Sequence, residues 1–128
     1  MELKKIKAKD VMIKELITIG SGEKIALADL IMARSGIGSL PVVDKGKLVG
    51  IITQRDIMLA RNYEIGVLMT KDLMSKNLIT VGPEASLKEI LGLMLGKKIE
   101  RIPVVENGKL AGLIVHNRVL KAIYESIA

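Results

Sequence analysis

The chain has 128 residues, of which 49% are apolar, and its mean hydropathy of +0.36 suits one domain or two small halves that share a core. A formal charge of +6 and a pI near 9.6 favour an anionic partner or a solvated lysine-rich surface. The absence of cysteine excludes disulfides, thiol chemistry and zinc ribbons, the one histidine leaves a metal cage or a triad without its second member, and two tyrosines with no Phe or Trp leave few platforms for stacking bases.

Met1 to Lys7 carries lysines without a following apolar stretch, and no run approaches the roughly 18 residues of a membrane span. A cytoplasmic protein with no membrane contact is expected. Residues 9 to 60 recur without a gap as residues 71 to 122, about a third of the aligned pairs being identical. Lys9-Asp10-Val11-Met12 returns as Lys71-Asp72-Leu73-Met74, Leu40-Pro41-Val42-Val43 as Ile102-Pro103-Val104-Val105, and Gly46-Lys47-Leu48-Val49-Gly50 as Gly108-Lys109-Leu110-Ala111-Gly112.

In chain order, Leu16–Ile19 reads as a short β-branched strand. Ile25–Ser35 reads as a helix with Ile25, Ala28, Ile31 and Met32 on one face and Gly36 as its stop. Leu40–Val43 and Leu48–Thr53 read as strands of a hairpin that turns at Asp44-Lys45-Gly46-Lys47, and a helix from about Gln54 to Arg61 closes the unit. Ile65, Val67 and Leu68 make Arg61–Thr70 a packed connector. The second copy repeats this order, with a capping pattern at Ser86 and Glu89. One 1–128 module is expected, with repeats at 8–62 and 71–124 joined by 63–70. Its fold class is α/β (α+β), two pseudo-symmetric β-α-β-β-α repeats packed sheet to sheet, with clefts where the repeats meet.

Gly50-Ile51-Ile52-Thr53-Gln54-Arg55-Asp56 carries the chemistry. A strand ending on a hydroxyl, with a carboxylate one turn into the next helix, places both beside the amides of a helix start, where a sugar and a phosphate could be held. The same Thr-x-x-Asp spacing also describes a capping box that serves only the helix. His116 reads as an exposed turn residue, and Met32 and Met94 as core.

The order of elements, Leu-Pro-Val-Val before Gly-Lys-Leu-Val-Gly, and the closing Gly-Ile-Ile-Thr-Gln-Arg-Asp together resemble a pair of cystathionine-β-synthase (CBS) domains over nearly the whole chain. The resemblance implies a non-enzymatic sensor of adenosine compounds, namely AMP, ADP, ATP, S-adenosylmethionine or NAD, bound between the repeats. It assigns the ribose diol to Asp56 and phosphate or ribose to Thr53, with Arg55 between them. It assigns the adenine side to Leu78, Ile79, Thr80, Ile99 and Pro103, and phosphate contacts to Arg101 and Lys71. An ionised carboxylate suits a diol because its two oxygens accept from neighbouring hydroxyls. The second copy departs from the pattern: Val115 stands for Thr53, Arg118 for Asp56, and Gly38-Ser39 for the segment that holds Arg101. One nucleotide site per chain follows, with the other position empty, weak or adapted to another anion. A homodimer is expected, with Leu91, Leu93 and Leu95 as surplus apolar surface, and the regulated protein is unknown. A nucleic-acid-associated protein or a purely structural dimerisation module are the alternatives.

Overall fold

The structure is a computed structural model that describes residues 2–60 and 65–127. It contains the elements α1 (Ala8–Val11), α2 (Ile25–Ser35), β1 (Ser39–Asp44), β2 (Lys47–Thr53), α3 (Gln54–Leu59), α4 (Thr70–Leu73), α5 (Leu87–Lys97), β3 (Arg101–Glu106), β4 (Lys109–Val115) and α6 (His116–Ser126), with 3₁₀ turns at Leu3–Lys5 and Ile65–Val67. The chain divides into two compact units. A continuous unit holds Ile17–Leu78, and a split unit combines Met1–Leu16 with Ile79–Ala128. The short segment that leads into each repeat therefore packs on the hairpin of the other repeat.

Each unit is built on one antiparallel hairpin. Asp44 pairs with Lys47 and Glu106 with Lys109, so the loops are Lys45-Gly46 and Asn107-Gly108, and all four residues have positive φ. This is the two-residue turn whose twist suits a hairpin. A bulge follows at the same place in both, with Val49 and Ala111 as the extra residues.

The expected strand Leu16–Ile19 shrinks to a single parallel bridge, Ile19 with Val42, made by Ile19 N–H to the Pro41 carbonyl at 3.1 Å and Val43 N–H to the Ile19 carbonyl at 2.9 Å. Val81 repeats this against Val104. The other edge of each hairpin is paired once by a lead segment, Ser75 with Ile51 and Ile13 with Leu113. Here the glycines of the repeated motif find their reason. A Cβ on Gly50 would stand 2.6 Å from the Met74 sulfur and 2.9 Å from the Ser75 carbonyl oxygen, and one on Gly112 would stand 2.5 Å from the Met12 sulfur and 3.0 Å from the Ile13 oxygen.

α2 forms over the residues its periodicity indicates, buries Ile25, Ala28 and Met32, and stops at Gly36 in the left-handed conformation (φ 67°). α5 stops the same way on Lys98 (φ 55°), without glycine's freedom. The core of the continuous unit joins Ile19, Ile25, Ala28, Met32, Leu40, Val42, Ile52 and Ile57. That of the split unit joins Ile6, Ala8 and Val11 from the N-terminal segment to Val81, Ile90, Ile102, Val104, Ile114 and Val119. Each fully buried Val, Leu, Ile or Met among them stabilises its unit by about 1.5–3 kcal/mol. Leu91, Leu93 and Met94 pack against this core and are not surplus surface; of that group only Leu95, 79% exposed, is open. The closing helix α3 ends at Leu59; Arg61, like residues 62–64 of the expected connector, lies outside the described residues.

Candidate functional site

β2 carries Thr53 to the end of the hairpin, and α3 begins at the next residue because Thr53 is extended (φ −122°, ψ 162°) and caps it. The hydroxyl Oγ1 accepts from Asp56 N–H at 3.1 Å, and Asp56 Oδ2 accepts from Thr53 N–H at 2.9 Å. Gln54 N–H donates to the Gly38 carbonyl at 3.0 Å, and buried Ile57 anchors the helix in the core. These bonds fix the direction of a half-buried carboxylate at the edge of the unit. They also use the amides of Gln54 and Asp56, and α3 is only six residues long, so the expected phosphate cradle at this helix start is reduced. The capping role is realised, and the second carboxylate oxygen, Oδ1, takes no part in it. Arg55 is exposed beside it.

The structure does not bring Lys71 to this end. Lys71 N–H donates to the Ser21 carbonyl at 3.0 Å, and Ser21 N–H donates to Asp44 Oδ1 at 2.9 Å beside the hairpin turn, whereas Thr53 pairs with Ser39 at the opposite end. Five strand steps, about 16 Å, separate the two ends. The Ser21 hydroxyl also donates to Asp44, and these bonds, the hydroxyl's first and the amide's second, hold the Asp44 carboxyl below its ordinary range. Leu78 is half-buried at the close of the continuous unit.

The split unit carries the remaining candidates. Val81 pairs in parallel with Val104, which sets Ile79 and exposed Thr80 toward the Arg101 end of β3. Ile99 follows the stop of α5, its N–H donating to the Met94 carbonyl at 3.2 Å, and Pro103 is buried with its carbonyl accepting from Val81 N–H at 3.1 Å. Arg101 is 32% exposed, with Nη1 4.0 Å from Glu100 Oε2. At the same end Val115 starts α6 without a side-chain cap, and Arg118 occupies the position of Asp56. His116 is exposed, as expected, though it is the first residue of a helix and not part of a turn.

Two residues of the Thr53 end were not singled out from the sequence. The parallel Ile19–Val42 bridge directs the preceding Ile17 and Thr18 toward the Ser39 end of β1, and Ile17 is 45% exposed, an unusual exposure for an isoleucine. Their alignment with Ile79-Thr80 in the gapless repeat is the signal that could have found them.

Two hairpin units, with one lead segment exchanged onto each and a strand-to-helix turn at the end of each, define a tandem-repeat module. The CBS-domain family matches residues 8–63 and 70–125, and the chain belongs to it. It is 42% identical over 109 residues to inosine-5′-monophosphate dehydrogenase of Korarchaeum cryptofilum, a match covering 84% of this chain and 22% of that enzyme, so the chain spans about a fifth of this relative's length. It is 32% identical over 108 residues to the CBS domain-containing protein YhcV of Bacillus subtilis, covering 83% and 77%. Among solved structures, the CBS-domain pair of protein MJ0100 in complex with 5′-methylthioadenosine and S-adenosyl-L-methionine matches with a TM-score of 0.85 at 29% identity, covering 94% of this chain and 97% of that one. Among the described residues no helix is long and apolar enough to cross a membrane.

Proposed function

We propose that this chain is a regulatory, non-catalytic binding module for an adenosine compound and that Asp56 takes the ribose diol. The observation that carries the reading is the Thr53–Asp56 box, which holds a half-buried carboxylate in one orientation through Oδ2 and leaves Oδ1 out of the cap. A pre-set acceptor loses little side-chain freedom on binding. The two adenosine compounds in the related CBS pair support the ligand class; AMP, ADP, ATP, S-adenosylmethionine and NAD are the candidates. Ile79, Thr80, Ile99 and Arg101 are carried as further contacts for this class of ligand. The bound nucleotide changes the surface shown to a regulated protein by no more than its differential affinity for the two states.

A thermal-shift titration with these five compounds tests the reading, since a ligand of the folded state stabilises it by RT ln(1 + [L]/Kd). Asp56→Asn keeps an oxygen for Thr53 N–H while removing the charge, so its loss of the shift at unchanged stability supports the ribose role. If no compound shifts the wild type, Asp56 is a cap and the reading fails.

Self-association is a second part of the reading, favoured by the exposure of Leu95 on α5 and of Leu120 and Tyr124 on α6. Sedimentation across a concentration series that finds only monomer removes it.

A further inference from the structure

Each lead segment joins the outer edge of its hairpin through one bridge, and a methionine stands beside each bridge. Ser75 N–H donates to the Ile51 carbonyl at 2.9 Å and Ile51 N–H to the Ser75 carbonyl at 3.1 Å; Ile13 and Leu113 exchange bonds of 2.8 and 3.0 Å in the same way. Met74 precedes Ser75 and Met12 precedes Ile13, at equivalent positions of the repeat. Their sulfurs fill the space left by the missing side chains of Gly50 and Gly112, 2.6 and 2.5 Å from the points where a β-carbon would lie. The same two points are 2.9 Å from the Ser75 carbonyl oxygen and 3.0 Å from that of Ile13. Those oxygens accept the Ile51 and Leu113 N–H groups, so each thioether shares its notch with the acceptor of a bridge bond. Met74 packs against the core of the continuous unit and Met12 against that of the split unit, and both are half-buried.

We propose that Met12 and Met74 are paired oxidation sites, and that their conversion to the sulfoxide by hydrogen peroxide loosens the lead segments from the hairpins. The inference rests on the bridges alone and stands whether or not Asp56 takes a ribose. In the reaction the thioether sulfur gives up two electrons and bonds one peroxide oxygen; the O–O bond breaks, and the other oxygen leaves as water with both hydrogens. The chain has seven methionines and no cysteine, so methionine is its means of reversible sulfur oxidation. A thioether is a soft, apolar group that fits an irregular gap between a glycine and a core. The sulfoxide is polar and a hydrogen-bond acceptor, and beside it in the notch stands a carbonyl that is itself an acceptor. Each lead segment is paired with its strand at that single bridge, so no neighbouring ladder bonds hold it in register. Two other methionines bracket these sites. Met32 is fully buried, and Met58 on α3 is 56% exposed.

The test treats the full chain with hydrogen peroxide, follows each methionine by peptide mass spectrometry, and follows the bridges by hydrogen exchange of the Ile13, Leu113, Ile51 and Ser75 amides. The expected result is sulfoxide at Met12 and Met74, formed after that at Met58 and before that at Met32. With it the four amides exchange about five- to tenfold faster, the factor that losing roughly one net hydrogen bond gives. Treatment with the methionine sulfoxide reductases, one for each epimer, restores slow exchange. A chain carrying norleucine in place of methionine, unbranched and without the sulfur, keeps its slow exchange in peroxide, and the pair Met12→Leu and Met74→Leu makes the same comparison by mutation. The proposal is overturned if Met12 and Met74 stay unoxidised in the folded chain while Met58 is fully converted. It is equally overturned if they oxidise and the four amides exchange at an unchanged rate, or if the sulfur-free chain loses protection in peroxide as the natural one does.

Discussion

Thr53 and Val115 occupy the same place at the end of the same kind of hairpin, with similar extended backbones (φ −122°, ψ 162° and φ −113°, ψ 149°). Around them the backbone bonds repeat as well, Gln54 N–H to Gly38 and His116 N–H to Glu100. The side chains do not repeat. One helix start is closed by a reciprocal Thr–Asp box, and the other has no side-chain cap and carries an arginine at the third position. The backbone at this turn is held in both repeats by the glycine, the bulge and the backbone bonds, which leaves the two side chains free to diverge.

That division can be broken at its shared part first. Gly50→Ala and Gly112→Ala should both destabilise by about 2–3 kcal/mol, as overpacking against a neighbouring backbone does, because each new Cβ meets a carbonyl oxygen as well as a methionine sulfur. Denaturant melts check this, and a large loss at only one of the two would show that the scaffold is not shared. The unshared part comes next. Asp56→Ala should cost about 1 kcal/mol, the net value of one typical intramolecular hydrogen bond, whereas Arg118→Ala should change stability by less than about 0.5 kcal/mol, as exposed positions do.

A smaller effect separates the units by pH. The Ser21 bonds depress the Asp44 carboxyl below 3.8, so their stabilisation is present above the unfolded-state value and is lost as the pH falls through the lower folded one. Ser21→Ala should therefore lose stability near neutral pH and show a shallower decline in acid melts. The equivalent pair in the split unit would be Pro83 and Glu106, and Pro83 offers neither a hydroxyl nor an N–H, so this pair of bonds is not repeated there. One expected change is a gain: Lys98→Gly, at the left-handed stop of α5, should stabilise by about 0.5–1 kcal/mol, which a thermal melt can register.

What the sequence made legible was local. The span of α2, both hairpins with their turn glycines, and the Thr53–Asp56 spacing follow from contacts within a few residues, where periodicity and capping rules apply. The exchange of the lead segments was not legible, because the bridges Ile13–Leu113 and Ile51–Ser75 join residues remote in the chain and leave no periodic trace. For the same reason Lys71, which the family resemblance grouped with Asp56, is carried by its bond to Ser21 to the other end of the hairpin. The reduction of Leu16–Ile19 to one bridge also escaped the pattern, since β-branched residues favour extended backbone whether or not a full ladder forms. Leu91 and Leu93 looked like surplus surface because the N-terminal segment that completes their core lies some 80 residues away in the sequence.

The measurement that tests the central claim most directly is isothermal titration of the chain with whichever adenosine compound gives the thermal shift, beside its 2′-deoxy form. The account predicts one equivalent of ribose-dependent binding per chain, weakened at least about tenfold both by loss of the 2′-hydroxyl and by Asp56→Asn, since a hydrogen bond to a charged group contributes about 1.5–3 kcal/mol. Two equal ribose-dependent sites per chain, or binding indifferent to both changes, would contradict it.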